Sequence, residues 1–255
     1  MSRLVLVTGA AGGVGSSIVA KFCALGDTVL ANDVSDERLT KLDRVDGRVI
    51  KVVADVTDGA GFREAVTNAA QGLGPVDVVV ANAGGASSPT LRKTSIDSWR
   101  RDIELNLHGT MHTVEAVREG MMTKRKGAIV AISSVNALLT LGHPAYSAAK
   151  AGLISYVKAL ATELGKYGIR ANAILPGTVR TPIWQQRVEK NPTIFEQLRK
   201  WYPLGRVVEP EDVAEAVIFL ASDAAKAITG VALPVDCGLT AGNLPLASEL
   251  TVEEW

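Results

Sequence analysis

Tyr146 and Lys150 stand four apart in the stretch Tyr146-Ser147-Ala148-Ala149-Lys150. The apolar residues around them, Ala149, Leu153, Tyr156, Val157, Leu160 and Leu164, recur at helical spacing, so the phenol and the ammonium should share one helix face. At ~4 Å and an effective dielectric of ~20, a unit positive charge favours the phenolate by about 4 kcal/mol, roughly three pKa units. That would bring a tyrosine from ~10 towards neutrality and make it a usable acid or base. Twelve residues upstream of Tyr146, Ser134 follows the apolar run 128–132 and could give a second hydrogen bond to the same reacting oxygen. Neither Ser134 nor its neighbour Ser133 lies in a G-x-S-x-G elbow, which counts against a hydrolase.

Glycines supply the second constellation. Gly9, Gly13 and Gly15 fall between an apolar run at 4–7 and a helix pattern carrying Val14, Ile18, Val19, Phe22 and Leu25, stopped by Gly26. There, glycine lets the backbone turn tightly and approach a pyrophosphate at the helix N-terminus. The spacing is G-x-x-x-G-x-G. Asp33, eighteen residues after Gly15, ends the next apolar run and can accept hydrogen bonds from adenosine ribose hydroxyls; capping the following segment is the other reading. With no arginine beside it, and Ala10, Ala11 and Val34 uncharged, Asp33 favours NAD(H) over NADP(H).

Asp55 ends the third apolar run and Asn82-Ala83-Gly84 the fourth. Asp55 either meets the nucleotide or caps the turn before Asp58, and Asn82 either meets it or braces its own turn. Asn106, at an apolar helix boundary, needs partners for its amide, as a structural hydrogen bond or as the holder of a water. His108 and His112 are four apart, but no Glu follows His108, so H-E-x-x-H chemistry is excluded and both read as packing or interface residues. His143 lies three residues before Tyr146, within reach of what Tyr146 touches. No metal site is expected, and Cys23 and Cys237 read as buried thiols of a reducing compartment.

Seven apolar runs, at 4–7, 28–32, 49–54, 76–81, 128–132, 169–175 and 232–235, alternate with segments of helix length. Helices are expected at 58–71, 97–105 and 106–122 and from Pro210, with a short solvent-facing helix and loop over 35–46. Such alternation predicts an α/β fold, one Rossmann-like doubly wound parallel sheet with helices on both faces, formed by residues 1–255 as a single domain. In 182–206, Trp184, Phe195, Trp201 and Tyr202 mingle with Arg187, Lys190, Arg199 and Lys200, the composition of a lid over a site; 244–255 is a C-terminal tail. The 255 residues carry 27 basic and 27 acidic side chains and a pI near 6.8, so no global field draws the chain to nucleic acid or an anionic membrane. No apolar run approaches the ~20 residues of a membrane span, and no basic-then-apolar leader opens the sequence. A cytosolic protein with a small-molecule partner is expected.

Taken jointly, Thr8-Gly9-x-x-x-Gly13-x-Gly15, Asn82-Ala83-Gly84, Asn106, Ser134, Tyr146-x-x-x-Lys150 and Pro176-Gly177-x-x-x-Thr181 resemble the short-chain dehydrogenase/reductase family over nearly the whole chain. The resemblance implies Tyr146 as general acid/base and Ser134 orienting the substrate oxygen. It implies Lys150 binding the nicotinamide ribose while lowering the tyrosine pKa, and Asn106 holding a water that relays the proton. It places Pro176, Gly177 and Thr181 at the nicotinamide amide and Val14, Val56 and Val179 beside the cofactor, and it implies a homo-tetramer. Cys237 stands where the family often has glycine, and the Ser134–Tyr146 interval is one residue shorter than in many relatives. The expected activity is NAD-dependent interconversion of a secondary alcohol and a ketone. Asn136, His143, Trp184 and Arg187 are expected to join Ser134 and Tyr146 around a small polar substrate, a sugar, polyol or hydroxy acid. The alternatives are a 3-oxoacyl-thioester reductase using NADPH and a nucleotide sensor that has lost the chemistry.

Overall fold

The computed structural model describes residues 2–253; Met1 and the last two residues of the expected tail, Glu254 and Trp255, lie outside it. The seven apolar runs become β1 (Leu4–Thr8), β2 (Thr28–Asp33), β3 (Arg48–Val53), β4 (Val78–Ala81), β5 (Gly127–Ile132), β6 (Ile169–Pro176) and β7 (Ala232–Val235). They form one parallel sheet in the order β3-β2-β1-β4-β5-β6-β7, the doubly wound arrangement expected. Alternate residues of β1 serve opposite faces: Val5 and Val7 join one buried cluster, Leu4 and Leu6 the other. Both faces being buried is why the strands read as unbroken apolar runs.

The helices are α1 (Gly13–Ala24), α2 (Asp36–Leu39), α3 (Gly59–Ala69), α4 (Ile96–Ile103), α5 (Gly109–Lys124), α6 (Pro144–Leu164), α7 (Gln185–Lys190), α8 (Ile194–Leu198), α9 (Pro210–Ala221) and α10 (Leu244–Thr251). Ile18, Val19 and Phe22 of α1 and Val213, Val217 and Leu220 of α9 cover the Val5 face. Phe62 and Val66 of α3, Val114 and Met121 of α5 and Leu153 and Val157 of α6 cover the Leu6 face. Strand order reverses between β1 and β4, so their carboxyl ends diverge and leave a crevice where such sheets hold ligands.

Four local expectations change. Leu25 is 58% exposed because α1 ends at Ala24, and Cys23 fills the inward position instead. The 35–46 segment is not simply solvent-facing: Leu39 and Leu42, three apart, turn into the core under a polar surface. Helix α4 is opened by Ser95, whose hydroxyl accepts from the Ser98 N–H at 3.1 Å while Ser98 Oγ accepts from the Ser95 N–H at 2.9 Å; Asp97 sits in its first turn. The helix expected from Asn106 begins at Gly109, because Glu104–His108 is a π turn.

The entry to α1 depends on glycine twice. Gly9 has φ +63°, and a side chain on Gly15 would run into the Gly9 carbonyl oxygen and, at 2.9 Å, the Ala10 Cα, both rigid backbone. Gly15→Ala is expected to cost at least about 1–3 kcal/mol in urea unfolding. An unfolding midpoint equal to the parent's would contradict this packing.

Candidate active site

The glycine turn, the β2 end and the β4 end enclose a cavity of about 560 Å³ lined by Gly9, Gly13, Val14, Gly15, Asp33, Val56, Asn82, Ala83, Gly84 and Thr181. Thr8, fully buried at the end of β1, accepts from the backbone N–H of Asn82 and of Ala83 through one hydroxyl, both at 3.1 Å. The Asn82 amide donates to the Thr8 carbonyl at 2.9 Å and the Gly9 carbonyl at 3.1 Å, so its side chain ties β4 to the glycine turn while the residue lines the cavity.

Asp33 is 4% exposed, and its carboxylate accepts from the Ala11 N–H at 3.2 Å and the Val34 N–H at 2.9 Å. It caps no helix; Ser35 caps α2, accepting from the Arg38 N–H at 3.3 Å. That turn corrects the expectation that no arginine neighbours Asp33. The Arg38 guanidinium lies 3.2 Å from the Asp33 carboxylate, and Arg38 and Lys41 both line the cavity. Asp55 stays outside: its Oδ1 accepts from the Thr57 N–H and hydroxyl, both at 2.8 Å, bracing the turn. Val56 lines the cavity, and its carbonyl lies 2.8 Å from His112 Nδ1, a packing role for that histidine; exposed His108 lies 2.8 Å from Glu104.

A second cavity of about 470 Å³ shares Val14, Asn82, Gly84, Thr181 and Ile183 with the first and adds, among others, Ser134, Asn136, His143, Tyr146, Lys150, Pro176, Gly177, Val179, Trp184 and Arg187. Lys150 is 3% exposed; its ammonium donates to the Ile132 carbonyl at 2.7 Å and sits 5.5 Å from the Tyr146 ring centroid. Burial pushes it down to about 8. The Tyr146 phenol lies above the ordinary tyrosine value, because burial outweighs the lowering hydrogen bond of Ser134, and the charge of Asp102 adds to the rise. The expected depression by Lys150 is therefore absent here: the bare Coulomb argument left out the desolvation both groups suffer in the same pocket.

Ser133 and Ser134 divide the work. Ser133 Oγ donates to the Lys150 carbonyl at 2.9 Å, whereas Ser134, two residues past the end of β5, keeps an extended backbone with its hydroxyl near the phenol. Asn106, fully buried in the π turn, donates to the Gly85 carbonyl at 2.7 Å and the Asp102 carbonyl at 2.8 Å and accepts from the Gly85 N–H at 3.1 Å. Both amide hydrogens thus make structural bonds. A side chain on Gly84 would press on Asn106 Oδ1 at 2.7 Å and Lys150 Nζ at 3.2 Å, so glycine keeps the passage between the cavities open.

On the far wall, Asn136 spends its amide hydrogens on the Gly142 carbonyl and the Ser147 hydroxyl, both at 3.1 Å, leaving only its carbonyl to a ligand. His143 sits in left-handed backbone at φ +53°, held by its N–H on the Pro89 carbonyl at 3.0 Å. Its Nδ1 is 3.1 Å from the Ser88 carbonyl, which only accepts, so the neutral ring carries its hydrogen on Nδ1 and keeps Nε2 as an acceptor. The 182–206 segment folds into short helical turns pinned by buried Phe195 and Tyr202, and the Tyr202 hydroxyl accepts from the Thr178 N–H at 3.1 Å.

Sequence reasoning missed Arg38, Lys41 and Asp102. Ser35 followed by Arg38 is a cap spacing that would have folded the arginine back towards Asp33. Asp102, 2% exposed, accepts from the Ser87 N–H at 2.9 Å and the Ser87 hydroxyl at 2.6 Å, ordering the loop that carries Ser88.

Among the described residues no group of three His, Cys, Asp or Glu could hold a metal ion. The glycine cradle, Asp33 and two joined cavities fit a dinucleotide, and Tyr146, Ser134 and Lys150 stand together on the second cavity. The pattern of the family described as enoyl-(acyl carrier protein) reductase matches residues 9–240. A solved oxidoreductase of the short-chain dehydrogenase/reductase family from Burkholderia thailandensis shares 54% identity and a TM-score of 0.95, covering 100% of this chain and 99% of that one. An uncharacterized oxidoreductase of Schizosaccharomyces pombe, C922.06, is 43% identical over 98% of this chain and 96% of that protein. The 3-oxoacyl-[acyl-carrier-protein] reductase FabG of Thermotoga maritima is 36% identical over 93% and 97%. The chain belongs to the short-chain dehydrogenase/reductase family, whose members bind nicotinamide cofactors.

Lys150 yields a prediction for the protein without nucleotide. With its pKa lowered to about 8 from 10.5, the unfolded chain binds the extra proton between those values, so this residue's contribution to stability rises with pH across that window, by roughly 3 kcal/mol. The unfolding free energy of the parent minus that of Lys150→Met should climb accordingly from pH 8 to above pH 10. A pH-independent difference would contradict the buried ammonium.

Proposed function

We propose that this protein is an NAD(H)-dependent oxidoreductase interconverting a secondary alcohol and a ketone, acting on a small polar substrate. The observation that carries the reading is the convergence of Tyr146, Ser134 and Lys150 on one cavity that opens through Gly84 into the glycine-turn cavity ending at Asp33. When bound, NAD(H) supplies the acceptor or donor of hydride. In reduction, Tyr146 delivers its phenolic proton to the substrate oxygen as the carbonyl carbon takes hydride; in oxidation, the phenolate removes the hydroxyl proton as the carbon gives hydride up. Ser134 orients that oxygen. The Lys150 ammonium, 5.5 Å from the Tyr146 ring centroid, offers positive charge to the phenolate that reduction leaves behind. A phenol held above its ordinary value is fully protonated at neutral pH, which suits the reductive direction.

Asn136 and His143 support a polar ligand, since each brings an acceptor to the cavity wall. Asp33 supports NAD(H), because its carboxylate matches ribose hydroxyls and repels a 2′-phosphate. A 3-oxoacyl-thioester reductase using NADPH is the second reading, favoured by Arg38 and Lys41 beside Asp33. A nucleotide sensor is the weaker alternative, because Asn106, Ser134, Tyr146 and Lys150 are all retained. Cytosolic residence and a homo-tetramer belong to the same proposal; among the described residues no helix is long and apolar enough to cross a membrane.

Two measurements test this reading. Tyr146→Phe should lower kcat by roughly a thousandfold or more while NADH affinity, followed by fluorescence, changes less than about threefold; general acid–base groups contribute on that order. A variant with near-parental kcat would remove Tyr146 from the chemistry. NAD should exceed NADP by about tenfold or more in kcat/KM, and Asp33→Ala should erase that ratio, since hydrogen bonds to a charged group are worth ~1.5–3 kcal/mol. Equal use of both cofactors by the parent would favour the NADPH reading.

A further inference from the structure

Among the described residues, two cations, Lys150 and Arg187, and no aspartate or glutamate line the cavity around Tyr146. Lys150 is committed to the Ile132 carbonyl. Of the other cations on and beside the lid, Arg180 pairs with Glu209 at 2.9 Å, Arg206 pairs with Asp212, and Arg199 donates to the Gly205 carbonyl at 2.6 Å, while Lys190 and Lys200 do not line this cavity. Arg187 pairs with no carboxylate among the described residues. Its guanidinium lies 4.5 Å from the Trp184 ring centroid, and Trp184 packs 5.5 Å from the buried Phe195 ring. The ring contact holds the exposed guanidinium at the cavity wall and consumes none of its N–H donors, which together form the fork that matches a carboxylate. A wall that carries two cations and no carboxylate of its own, with free guanidinium donors on it, disfavours cationic ligands and rewards a small anion placed on the Arg187 side, away from Asp102.

We propose that Arg187 anchors a carboxylate, so that the substrates are small hydroxy or oxo carboxylates. His143 Nε2 supplies an acceptor for a further hydroxyl, which points within that class to polyhydroxylated acids. This rests on the alcohol–ketone reading above and narrows it from polar substrates in general to anionic ones.

The test pairs each acid with an uncharged counterpart: gluconate, galactonate, glycerate and 3-hydroxybutyrate against their primary amides, in the oxidative direction with NAD and with NADP. At least one acid should exceed its amide by tenfold or more in kcat/KM. Arg187→Gln should raise the KM of that acid by tenfold or more, with kcat within threefold and the amide unaffected, and Arg187→Lys should restore part of the loss. Equal efficiency for acid and amide, or an Arg187→Gln enzyme that loses both alike, would overturn the anchor. Turnover of uncharged sugars or polyols alone would overturn it and leave the alcohol–ketone reading standing. No Tyr146-dependent turnover of either class, with NADH still bound, would overturn that reading and the anchor with it.

Discussion

The site is built around one costly placement: an ammonium taken out of water at the carboxyl edge of the sheet. Lys150 is held there by a hydrogen bond to the Ile132 carbonyl at the end of β5, while its own carbonyl receives the Ser133 hydroxyl. Four elements must meet within a few ångströms for this to happen. They are the end of β5, the loop after β4 with Gly84, the π turn with Asn106, and α6. Burial without a paired carboxylate lowers the lysine and raises the tyrosine together, so the pair responds strongly to any charge that enters the cavity.

The nucleotide side obeys a softer constraint. Thr8 and Asn82 fasten β4 to the glycine turn by short polar bonds, which fixes the cradle without bulky side chains. Asp33 anchors the far end with two backbone N–H groups already bound. Its pairing with Arg38 is an exposed one, more than half of that arginine being open to solvent, and is worth little by itself. On the proposed function, preference between nucleotides is a balance between this buried carboxylate and the exposed cation.

The sequence was most legible where periodicity and burial agree. β1 to β7 read as apolar runs because the sheet is covered on both faces, and Tyr146 and Lys150 share a helix face because four residues make about one turn. It was least legible where a residue's neighbours arrive from a distance. The sign of the Tyr146 shift depends on Asp102 and on the burial around it, neither of which spacing reveals. Arg38 reaches Asp33 only because Ser35 starts a turn, and the π turn at Asn106 adds a residue that no apolar pattern announces. Leu39 and Leu42 were hidden by the charges around them, since a four-residue helix running into a five-residue 3-10 turn leaves too few positions to show a period.

The 182–206 segment is tied down by aromatic side chains, with Phe195 and Tyr202 buried and Trp184 against Phe195. The proposed chemistry starts from a phenol whose proton is held tightly by burial. Tyrosine labelled with carbon-13 at Cζ and titrated by NMR in the nucleotide-free protein measures this directly, with the Tyr146 signal assigned by its loss in a phenylalanine variant. The account predicts a midpoint above the ordinary tyrosine value of 10.0. A midpoint near about 7, the value suited to a preformed base, would contradict it.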